Sequence, residues 1–399
     1  MKRRTLIKAI GAAGIATTLP LQVMGAPGKK NMKVLFMGGT GFIGPHMVRA
    51  LVAAGHEITL FNRGKTNAHL FPELSKIKGD RLTDDLKQLS GRQWDLIVDT
   101  SCYIPRAVDM LMDAVDTDQV KQYIFISTIS VYASFTQAGI TESSPLARMD
   151  EDPDSEDTSK WYGALKVRCE EQAEKAMPGR VTKVRCGLIV GPGDKTDRFT
   201  YWPVTAAKSD EMLAPGNGDD PLQTIDVRDL ADWVVHCVNQ KLVGPFNSTN
   251  PAGLYNFRDV LHMCRDELNP DLKLTWIPED FLETQNLDEG GGLPLWVGGN
   301  TDYAGIWKVN SGLAASKGLK ARPLNETIRD TWAWWLTLPE ERTAKLKTGL
   351  SPERPAEILT AWHGVQATGG TKFAPGSGRS CSLTGLGAPV ARCRLWGVG

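Results

Sequence analysis

Short apolar runs alternate with helical stretches along the first half of the chain. Runs of strand length lie at 33–37, 57–61, 94–98 and 122–126, and stretches with a helical period lie at 43–54, 105–114 and 159–177. Strands that alternate with helices build a parallel sheet that is covered on both faces. The pattern therefore predicts an α/β fold with a doubly wound parallel sheet.

The second half of the chain mixes shorter elements of both kinds. A strand and loop at 185–192 and a strand at 223–229 lead into a helix at 257–268, a strand at 273–277 and a helix at 325–336. This mixture predicts a smaller C-terminal α/β lobe at 196–345. The first domain is then expected at 31–195, with strand contributions from about 223–240.

The charges are unevenly distributed along the 399-residue chain. It has 46 basic and 46 acidic side chains, but residues 1–26 and 364–399 contain no acid, which leaves 27–363 with a net charge of −8. An acidic body repels phosphate backbones, so we expect no nucleic acid to be held by general electrostatics. The last 36 residues also hold nine glycines and show no helix or strand period, so we expect 364–399 to be disordered.

Residues 1–26 have the composition of a targeting segment. Arg3 and Arg4 precede Leu6, Ile7 and Lys8, and a mild apolar stretch rich in alanine and glycine follows. This arrangement resembles a twin-arginine (Tat) signal peptide, which implies the Tat export machinery as a partner and a folded protein in the bacterial periplasm or at the cell exterior. A short membrane anchor is the alternative. Glycines, threonines and a proline interrupt the stretch, so we expect no stable membrane span.

A glycine-rich turn, Gly38-Gly-Thr-Gly-Phe-Ile-Gly44, joins the first strand to the first helix. Strand, turn, helix and second strand follow within about thirty residues, the order of a Rossmann-type βαβ unit. Glycine lets the backbone approach a pyrophosphate, and the free N–H groups of the helix N-terminus bind its charge. We therefore predict that 31–195 is an NAD(P)-binding domain whose cofactor contacts are Gly38, Thr40, Gly41, Phe42, Ile43, Gly44, Asn62, Arg63 and Asp80.

The residues after the second strand bear on the choice of nucleotide. An acid there would accept hydrogen bonds from an unphosphorylated adenosine ribose. The chain instead reads Asn62-Arg63-Gly64-Lys65, whose two cations suit a 2′-phosphate, so NADP is slightly favoured over NAD. Arg63 as a solvated turn cation is the alternative. Asp80, after a short third strand, is placed either to contact the adenine amino group or to cap its own loop.

Three side chains have the types and the order of a proton-transfer site. The run at 122–126 leads into Thr128, and hydroxyls at the carboxyl edge of a parallel sheet face the ligand. Tyr162 and Lys166 lie four residues apart on one helix face. Since an adjacent ammonium lowers the pKa of a phenol, we expect Tyr162 to exchange a proton with a substrate hydroxyl or carbonyl that Thr128 orients. A solvated helix face is the alternative for the Tyr162 and Lys166 pair.

Several motifs in fixed order resemble the extended or atypical short-chain dehydrogenase/reductases. They are the glycine turn at 38–44, the strand end at 127–132, the Tyr162 and Lys166 pair, and the stretch at 185–192. Over about 33–340 the chain looks like the NAD-dependent epimerase/dehydratase group. The resemblance implies Thr128, Tyr162 and Lys166 as the catalytic Ser/Thr, Tyr and Lys. The chain departs from the group in lacking the acidic ribose ligand and in carrying Cys186 in place of a common proline.

The stretch at 197–203 is dense in aromatic and hydrogen-bonding residues. Such a mixture suits a sugar-like ring, and an ordinary packed loop is the alternative. Arg198 and Arg228 are candidate ligands for a substrate anion or hydroxyl. The seven cysteines form no CxxC pair and no histidine has a partner at ligand spacing, so we expect no metal and no disulfide scaffold.

Export would limit the plausible chemistry. Free nicotinamide dinucleotides are scarce outside the cytoplasm, so we expect a tightly bound cofactor that takes a hydride and returns it, or passes it to a second substrate. The sequence therefore predicts an NAD(P)-dependent epimerase/dehydratase-type oxidoreductase, or a reductase, for a sugar-like or other small hydroxy or keto substrate. A homodimer is compatible with this prediction. The alternative is a non-catalytic NAD(P)-binding sensor or RNA-associated scaffold of the atypical type.

Overall fold

The computed structural model describes residues 31–287, 292–299 and 301–368, so the predicted signal peptide and the residues after 368 lie outside it. The strands of the described part are β1 (Lys33–Met37), β2 (Glu57–Asn62), β3 (Ser75–Lys78), β4 (Leu96–Asp99), β5 (Gln122–Thr128), β6 (Val181–Cys186), β7 (Leu188–Val190), β8 (Glu211–Pro215), β9 (Thr224–Asp226), β10 (Gly244–Ser248) and β11 (Lys273–Ile277). Its helices are α1 (Gly44–Ala53), α2 (Pro105–Ala114), α3 (Thr158–Ala176), α4 (Tyr201–Lys208), α5 (Val227–Gln240), α6 (Phe257–Leu268), α7 (Glu279–Glu283), α8 (Gly312–Ser316), α9 (Leu324–Trp335), α10 (Glu340–Thr343) and α11 (Arg354–Ala367). None of these helices is both long and apolar enough to cross a bilayer.

Seven of the described strands form one parallel sheet in the order β10-β6-β5-β4-β1-β2-β3. Val34 of β1 pairs with Ile58 of β2 on one side and with Leu96 of β4 on the other. The chain winds outward from β1 to β3, crosses back to β4 and then winds the other way. The predicted doubly wound α/β fold is confirmed. Ligands of such sheets bind outside the carboxyl ends of the strands where the order reverses, here between β1 and β4.

The two faces of the sheet are buried under separate helix pairs. Val34 and Phe36 belong to an apolar cluster that includes residues of α1 and α5, whereas Leu35 and Met37 belong to a cluster that includes residues of α2 and α3. Successive side chains of a strand point to opposite faces, so a strand covered on both faces must be apolar at every position. This explains why the central strands read as continuous apolar runs rather than as an alternating pattern.

The smaller lobe has a core of its own. Strands β8 and β11 pair in parallel, and α4, α6, α9 and α11 contribute to one buried cluster. Trp202, Phe257 and Ile328 are among its fully buried side chains. The cluster also includes Leu350 and Ile358, so the packed lobe continues past the expected boundary at residue 345.

Helix α11 corrects the expectation for the C-terminal segment. Ile358 and Trp362 are buried in the lobe cluster, and Val365 packs against it, which is the spacing of one helix face. The helix runs to Ala367, so the first four residues of 364–399, expected to be disordered, are helical. Glycine has a low helix propensity, so Gly364 disfavours this helix, but the packing of its apolar face on the lobe stabilises it.

The contribution of the 223–240 region to the main sheet also differs from the expectation. β9 pairs only with β7 in a separate two-stranded sheet. The strand that joins the main sheet is β10, where Phe246 pairs with Val184 at the edge. Gly244 and Pro245 begin β10, and both residue types are depleted in strands, which concealed this strand in the apolar pattern.

Candidate active site and cofactor cleft

A cleft of about 610 Å³ opens at the carboxyl ends of β1, β2 and β4. All nine residues predicted to contact the cofactor line it: Gly38, Thr40, Gly41, Phe42, Ile43, Gly44, Asn62, Arg63 and Asp80. The turn, the end of β2 and the loop after β3 are far apart in sequence but meet here because parallel strands end at the same edge. The cleft therefore lies at the reversal of strand order, where the fold predicts a ligand.

The glycine turn has no room for side chains at its two critical positions. Gly38 has a φ of +105°, a conformation that L side chains rarely adopt, and an added Cβ would lie 2.7 Å from the Thr100 hydroxyl oxygen. A Cβ at Gly44 would lie 2.6 Å from the carbonyl carbon of Gly39. These close approaches allow α1 to begin directly against the turn.

The N-terminus of α1 borders this cleft through Ile43 and Gly44. Ile43 precedes the helix, and no side chain caps its first backbone N–H groups. A Cβ at Gly41 would meet nothing within 4 Å, so the backbone there borders open space. An uncapped helix N-terminus beside an open glycine cradle fits the pyrophosphate of a dinucleotide. Residues 38–44 could hold it there.

The ends of β2 and β3 have separate roles in the cleft. The Asn62 side-chain amide donates to the Gly38 carbonyl at 2.8 Å, and its oxygen accepts the Gly64 N–H at 2.9 Å, so Asn62 ties the β2 loop to the glycine turn. Arg63 and Lys65 are exposed and line the cleft. Asp80 accepts the Leu82 N–H at 3.0 Å, which is the loop-capping contact considered for it, while the residue also borders the cleft.

A buried ion pair beside the cleft was missed by sequence reasoning. Arg81 donates from both terminal nitrogens to Asp99, at 2.7 and 2.9 Å, and also to the Ser101 hydroxyl and the Ala107 carbonyl. Asp99 is fully buried at the end of β4. The Arg81 guanidinium holds the pKa of Asp99 below its usual value although burial acts to raise it. The available signal was an aspartate ending an otherwise apolar strand.

The three predicted catalytic residues come together at the end of β5. Thr128 is the last residue of β5, and its hydroxyl lies near the Tyr162 phenol of α3, whose pKa it acts to lower. The Thr128 hydroxyl also lies 2.9 Å from the Ser130 hydroxyl. Lys166 is buried one turn after Tyr162, and its ammonium donates to the carbonyls of Cys102 and Ile126 at 2.8 and 2.7 Å. Those two carbonyls join the ends of β4 and β5 to α3.

The electrostatics of the phenol differ from the expectation. Burial raises the pKa of Tyr162, against smaller lowering effects from the nearby Thr128 hydroxyl and the Arg198 charge. Burial also lowers the pKa of Lys166. The expected lowering of the phenol pKa by the ammonium is therefore outweighed, because Lys166 directs hydrogen bonds to backbone carbonyls and the site is poorly solvated. The protein alone holds Tyr162 as a protonated phenol at neutral pH.

Tyr103 lies between the cleft and the candidate catalytic residues. It lines the cleft, and its ring centroid lies 6.4 Å from that of Tyr162. The Lys166 ammonium lies 5.5 Å from the Tyr103 ring and 4.1 Å from the Phe125 ring. Aromatic faces attract a buried cation and compensate part of its lost hydration. Tyr103 therefore places the candidate catalytic residues next to the cleft, although they do not line it themselves.

The two candidate substrate ligands have different surroundings. Arg198 is half-buried, donates from Nε to the Thr196 hydroxyl at 3.1 Å and acts on the pKa of Tyr162. Arg228 forms a two-point ion pair with Asp226 and a second ion pair with Asp330. A role for Arg198 near the substrate fits its position. Arg228 is occupied by two carboxylates, so its role as a substrate ligand stays a prediction.

A metal site does not emerge from the described residues: no three histidine, cysteine, aspartate or glutamate side chains there are grouped to hold an ion.

Residues 38–152 match a family model described as NAD(P)H-binding, and residues 105–247 match the NAD dependent epimerase/dehydratase family. The chain is therefore similar, over residues 38–247, to NAD(P)-binding proteins and to the epimerase/dehydratase family. The second match spans Thr128, Tyr162 and Lys166, and the first spans the glycine turn.

Individual relatives are distant. The chain is 33% identical over 115 residues to "Chloroplast stem-loop binding protein of 41 kDa b, chloroplastic" of Arabidopsis thaliana, which covers 25% of this chain and 30% of that protein. It is 26% identical over 248 residues to "Epimerase family protein SDR39U1" of Bos taurus, which covers 55% of this chain and 75% of that protein. The chain therefore spans less than a third of the first relative.

A solved structure shares the architecture. The crystal structure of UDP-glucuronic acid 4-epimerase from Bacillus cereus in complex with NAD matches with a TM-score of 0.55 and 16% identity, over 76% of this chain and 96% of that chain. At this identity the likeness shows the fold alone. It supports the Rossmann-type sheet and the attached lobe as one architecture.

Proposed function

We propose that this protein is an NAD(P)-dependent oxidoreductase of the epimerase/dehydratase type that acts on a sugar-like or other small hydroxy or keto substrate. The observation that carries the proposal is the proximity of the Thr128 hydroxyl to the Tyr162 phenol beside a cleft that fits a dinucleotide. A hydroxyl and a phenol that lie close together can hold one substrate oxygen between them and exchange its proton. The family matches support the same reaction class.

Each catalytic side chain has a defined task in this proposal. Tyr162 donates its phenol proton to a substrate carbonyl oxygen, or receives the proton of a substrate hydroxyl, and Thr128 holds that oxygen in place. Lys166 fixes the ends of β4 and β5 through the carbonyls that it binds. When bound, the nicotinamide would supply the hydride chemistry that side chains cannot perform. A bound cationic nicotinamide would also oppose the effect of burial on the Tyr162 pKa.

The proposal is tested by replacing the phenol oxygen alone. Tyr162→Phe should lower the turnover number at least 100-fold, because the proton-transfer group is lost, while NAD(P)H affinity stays within a factor of two or three. Turnover is followed by chromatography of the products formed from a panel of free aldoses, uronates and other hydroxy acids, because a hydride that is returned to the substrate leaves no net change in NAD(P)H. Tyr255→Phe in the lobe, where the phenol oxygen accepts the Leu324 N–H, is the matched control and should keep full turnover. Full turnover in Tyr162→Phe would reject the mechanism.

We also propose that the cofactor is NADP rather than NAD and that it stays bound through export. Arg63 and Lys65 line the cleft where an acidic ribose ligand is absent, and the leader resembles a twin-arginine signal. Mass spectrometry of small molecules released from native exported protein should then find the dinucleotide at near-stoichiometric amounts. Loss of all dinucleotide during simple dialysis would contradict tight binding, and recovery of NAD alone would contradict the preference for NADP.

The second candidate is a non-catalytic NAD(P)-binding protein that associates with RNA. The similarity to a stem-loop binding protein favours it, whereas the net charge of −8 over 27–363 opposes it. Titration of a labelled RNA hairpin at 150 mM salt separates the two candidates. Submicromolar hairpin affinity that Tyr162→Phe leaves unchanged, together with no detectable turnover in the wild type, would favour the RNA-associated role.

A further inference from the structure

Two cysteines that the proposed reaction does not use lie in contact behind the catalytic residues. Cys102 follows β4, Cys169 lies on α3, and their sulfur atoms are 3.8 Å apart. Both are buried, and neither forms a disulfide. A disulfide requires an S–S distance of about 2.05 Å, so the two sulfur atoms, now 3.8 Å apart, would have to approach by about 1.8 Å to form the bond.

The position of this cysteine pair connects it to the site. Cys102 stands between Ser101 and Tyr103, which both line the cofactor cleft. Its carbonyl accepts a hydrogen bond from the Lys166 ammonium, and Cys169 lies three residues after Lys166 on the same helix. A bond between the two sulfur atoms would therefore join the cleft-lining segment after β4 directly to the helix that carries Tyr162 and Lys166.

The charges around the pair favour reaction at Cys102. Burial acts to raise the pKa of Cys102, but the hydrogen bond with Cys169 and the nearby cations Arg81 and Lys166 outweigh it and lower this pKa. The pKa of Cys169 is raised through the same hydrogen bond. Thiolate is the reactive form of cysteine, so Cys102 is the group that an oxidant would modify first.

We propose that Cys102 and Cys169 are a disulfide-forming pair that staples the segment after β4 to α3 when the folded protein meets a two-electron thiol oxidant. An oxidant of the disulfide or azo class first forms an adduct at the Cys102 sulfur, and the Cys169 sulfur then displaces it. Two S–H bonds break and one S–S bond forms. The two electrons and two protons pass to the oxidant, which becomes two thiols or a hydrazine.

The bond would close a loop that contains residues 103–168. In the chain-entropy description a loop of this size stabilises the folded state strongly, and for a domain of this size the expected gain in melting temperature is about 5 °C. The staple would stabilise the catalytic helix and the cleft wall together. It requires neither the proposed reaction nor the proposed export.

The experiment uses the full chain with Cys381→Ala and Cys393→Ala, which removes the thiols outside the described residues. Reduced protein is treated with diamide, unfolded in guanidinium and alkylated with N-ethylmaleimide. The number of alkylated thiols should fall by two, and digestion should recover a peptide containing Cys102 linked to one containing Cys169. Dithiothreitol should restore both thiols.

Matched variants identify the source of the effect. Cys264→Ala removes another buried free cysteine and should still lose two thiols and gain about 5 °C on oxidation. Cys169→Ala should lose none and gain nothing. Full alkylation of the diamide-treated parent, or a link that joins other cysteines, would overturn the pairing. An unchanged or lowered melting temperature in the linked protein would overturn the stapling role. The peptide map is made without the Cys169→Ala substitution, so it remains decisive if that variant does not fold.

Discussion

The Arg81–Asp99 ion pair offers a quantitative test of the structure beside the cofactor cleft. The Arg81 side chain is only 11% exposed and that of Asp99 is fully buried. Arg81→Met keeps most of the apolar stem but leaves the Asp99 carboxylate without its counter-ion. Breaking a buried pair by removing one partner destabilises a protein by about 3–5 kcal/mol, because a buried charge is left uncompensated.

The hydrogen bonds that Asp99 keeps determine where the loss of stability should lie within the range of about 3–5 kcal/mol. The Ser101 N–H still donates to one carboxylate oxygen at 3.0 Å, and the Tyr123 hydroxyl still donates to the other at 2.8 Å. Each oxygen therefore keeps one donor after the guanidinium is lost. We expect the loss in the free energy of unfolding at pH 8 to lie near the lower end, about 3 kcal/mol.

The loss should depend on pH with a defined sign. Arg81 holds the pKa of Asp99 below its usual value. Without Arg81, burial should raise that pKa above the unfolded value of about 3.9. The folded variant then binds a proton more readily than its unfolded chain, so its stability improves relative to wild type as the pH falls. The difference between variant and wild type should be larger at pH 8 than at pH 5.

Urea unfolding followed by tryptophan fluorescence at pH 8 and pH 5 measures both effects. Arg81→Met/Asp99→Asn should recover part of the loss, because the unpaired charge is gone. Arg106→Met is the control, since Arg106 forms an exposed two-point pair with Glu156 and should leave stability nearly unchanged. A loss below about 1 kcal/mol, or one of equal size at both pH values, would refute the reasoning.

Three further predictions test other parts of the site. Gly44→Ala should lower the free energy of unfolding by about 1–3 kcal/mol and weaken NADPH binding at least tenfold in fluorescence titrations, because the added Cβ would overlap the Gly39 backbone. In the control Gly41→Ala the added Cβ meets no atom within 4 Å, so the melting temperature should not change. Equal melting temperatures in both variants would contradict this prediction. Glu170→Gln should lower the free energy of unfolding in urea by about 3 kcal/mol, because Glu170 pairs with buried Arg185 and accepts a hydrogen bond from the Ser127 hydroxyl. An unchanged free energy of unfolding would show that the ion pair is solvated. The Tyr162 phenolate can be followed as the absorbance at 295 nm that the wild type shows and Tyr162→Phe lacks. In the cofactor-free protein its titration midpoint should lie above the ordinary tyrosine pKa of about 10, because burial raises the pKa of Tyr162. A midpoint below about 10 would contradict this prediction.

The elements around the cleft were accessible from the sequence because their signals are local. The helix at 105–114, the helix at 257–268 and the strand at 273–277 have the predicted bounds in the structure. The glycine turn was recognisable for the same reason, since strand, turn and helix lie within a few residues of each other. All nine predicted cofactor residues line one cleft.

Other features depend on residues that are distant in sequence. Arg81 meets Asp99 because β3 and β4 end at the same edge of the sheet on opposite sides of β1. The pKa of Tyr162 depends on how deeply α3 packs against the end of β5. The spacing of residues along a helix does not reveal that depth. Helix α11 forms because the lobe offers an apolar surface to one of its faces.

The sequence by itself determined the doubly wound sheet, the position of the glycine turn and the identity of the Thr128, Tyr162 and Lys166 candidates. Periodicity and glycine chemistry act over a few residues, so they can be read along the chain. Only the tertiary structure decided that the Lys166 ammonium binds two backbone carbonyls, that Arg228 is occupied by carboxylates, and that Cys102 touches Cys169. These contacts join segments that are brought together by the packing of helices on the sheet, and burial at those junctions sets their charges.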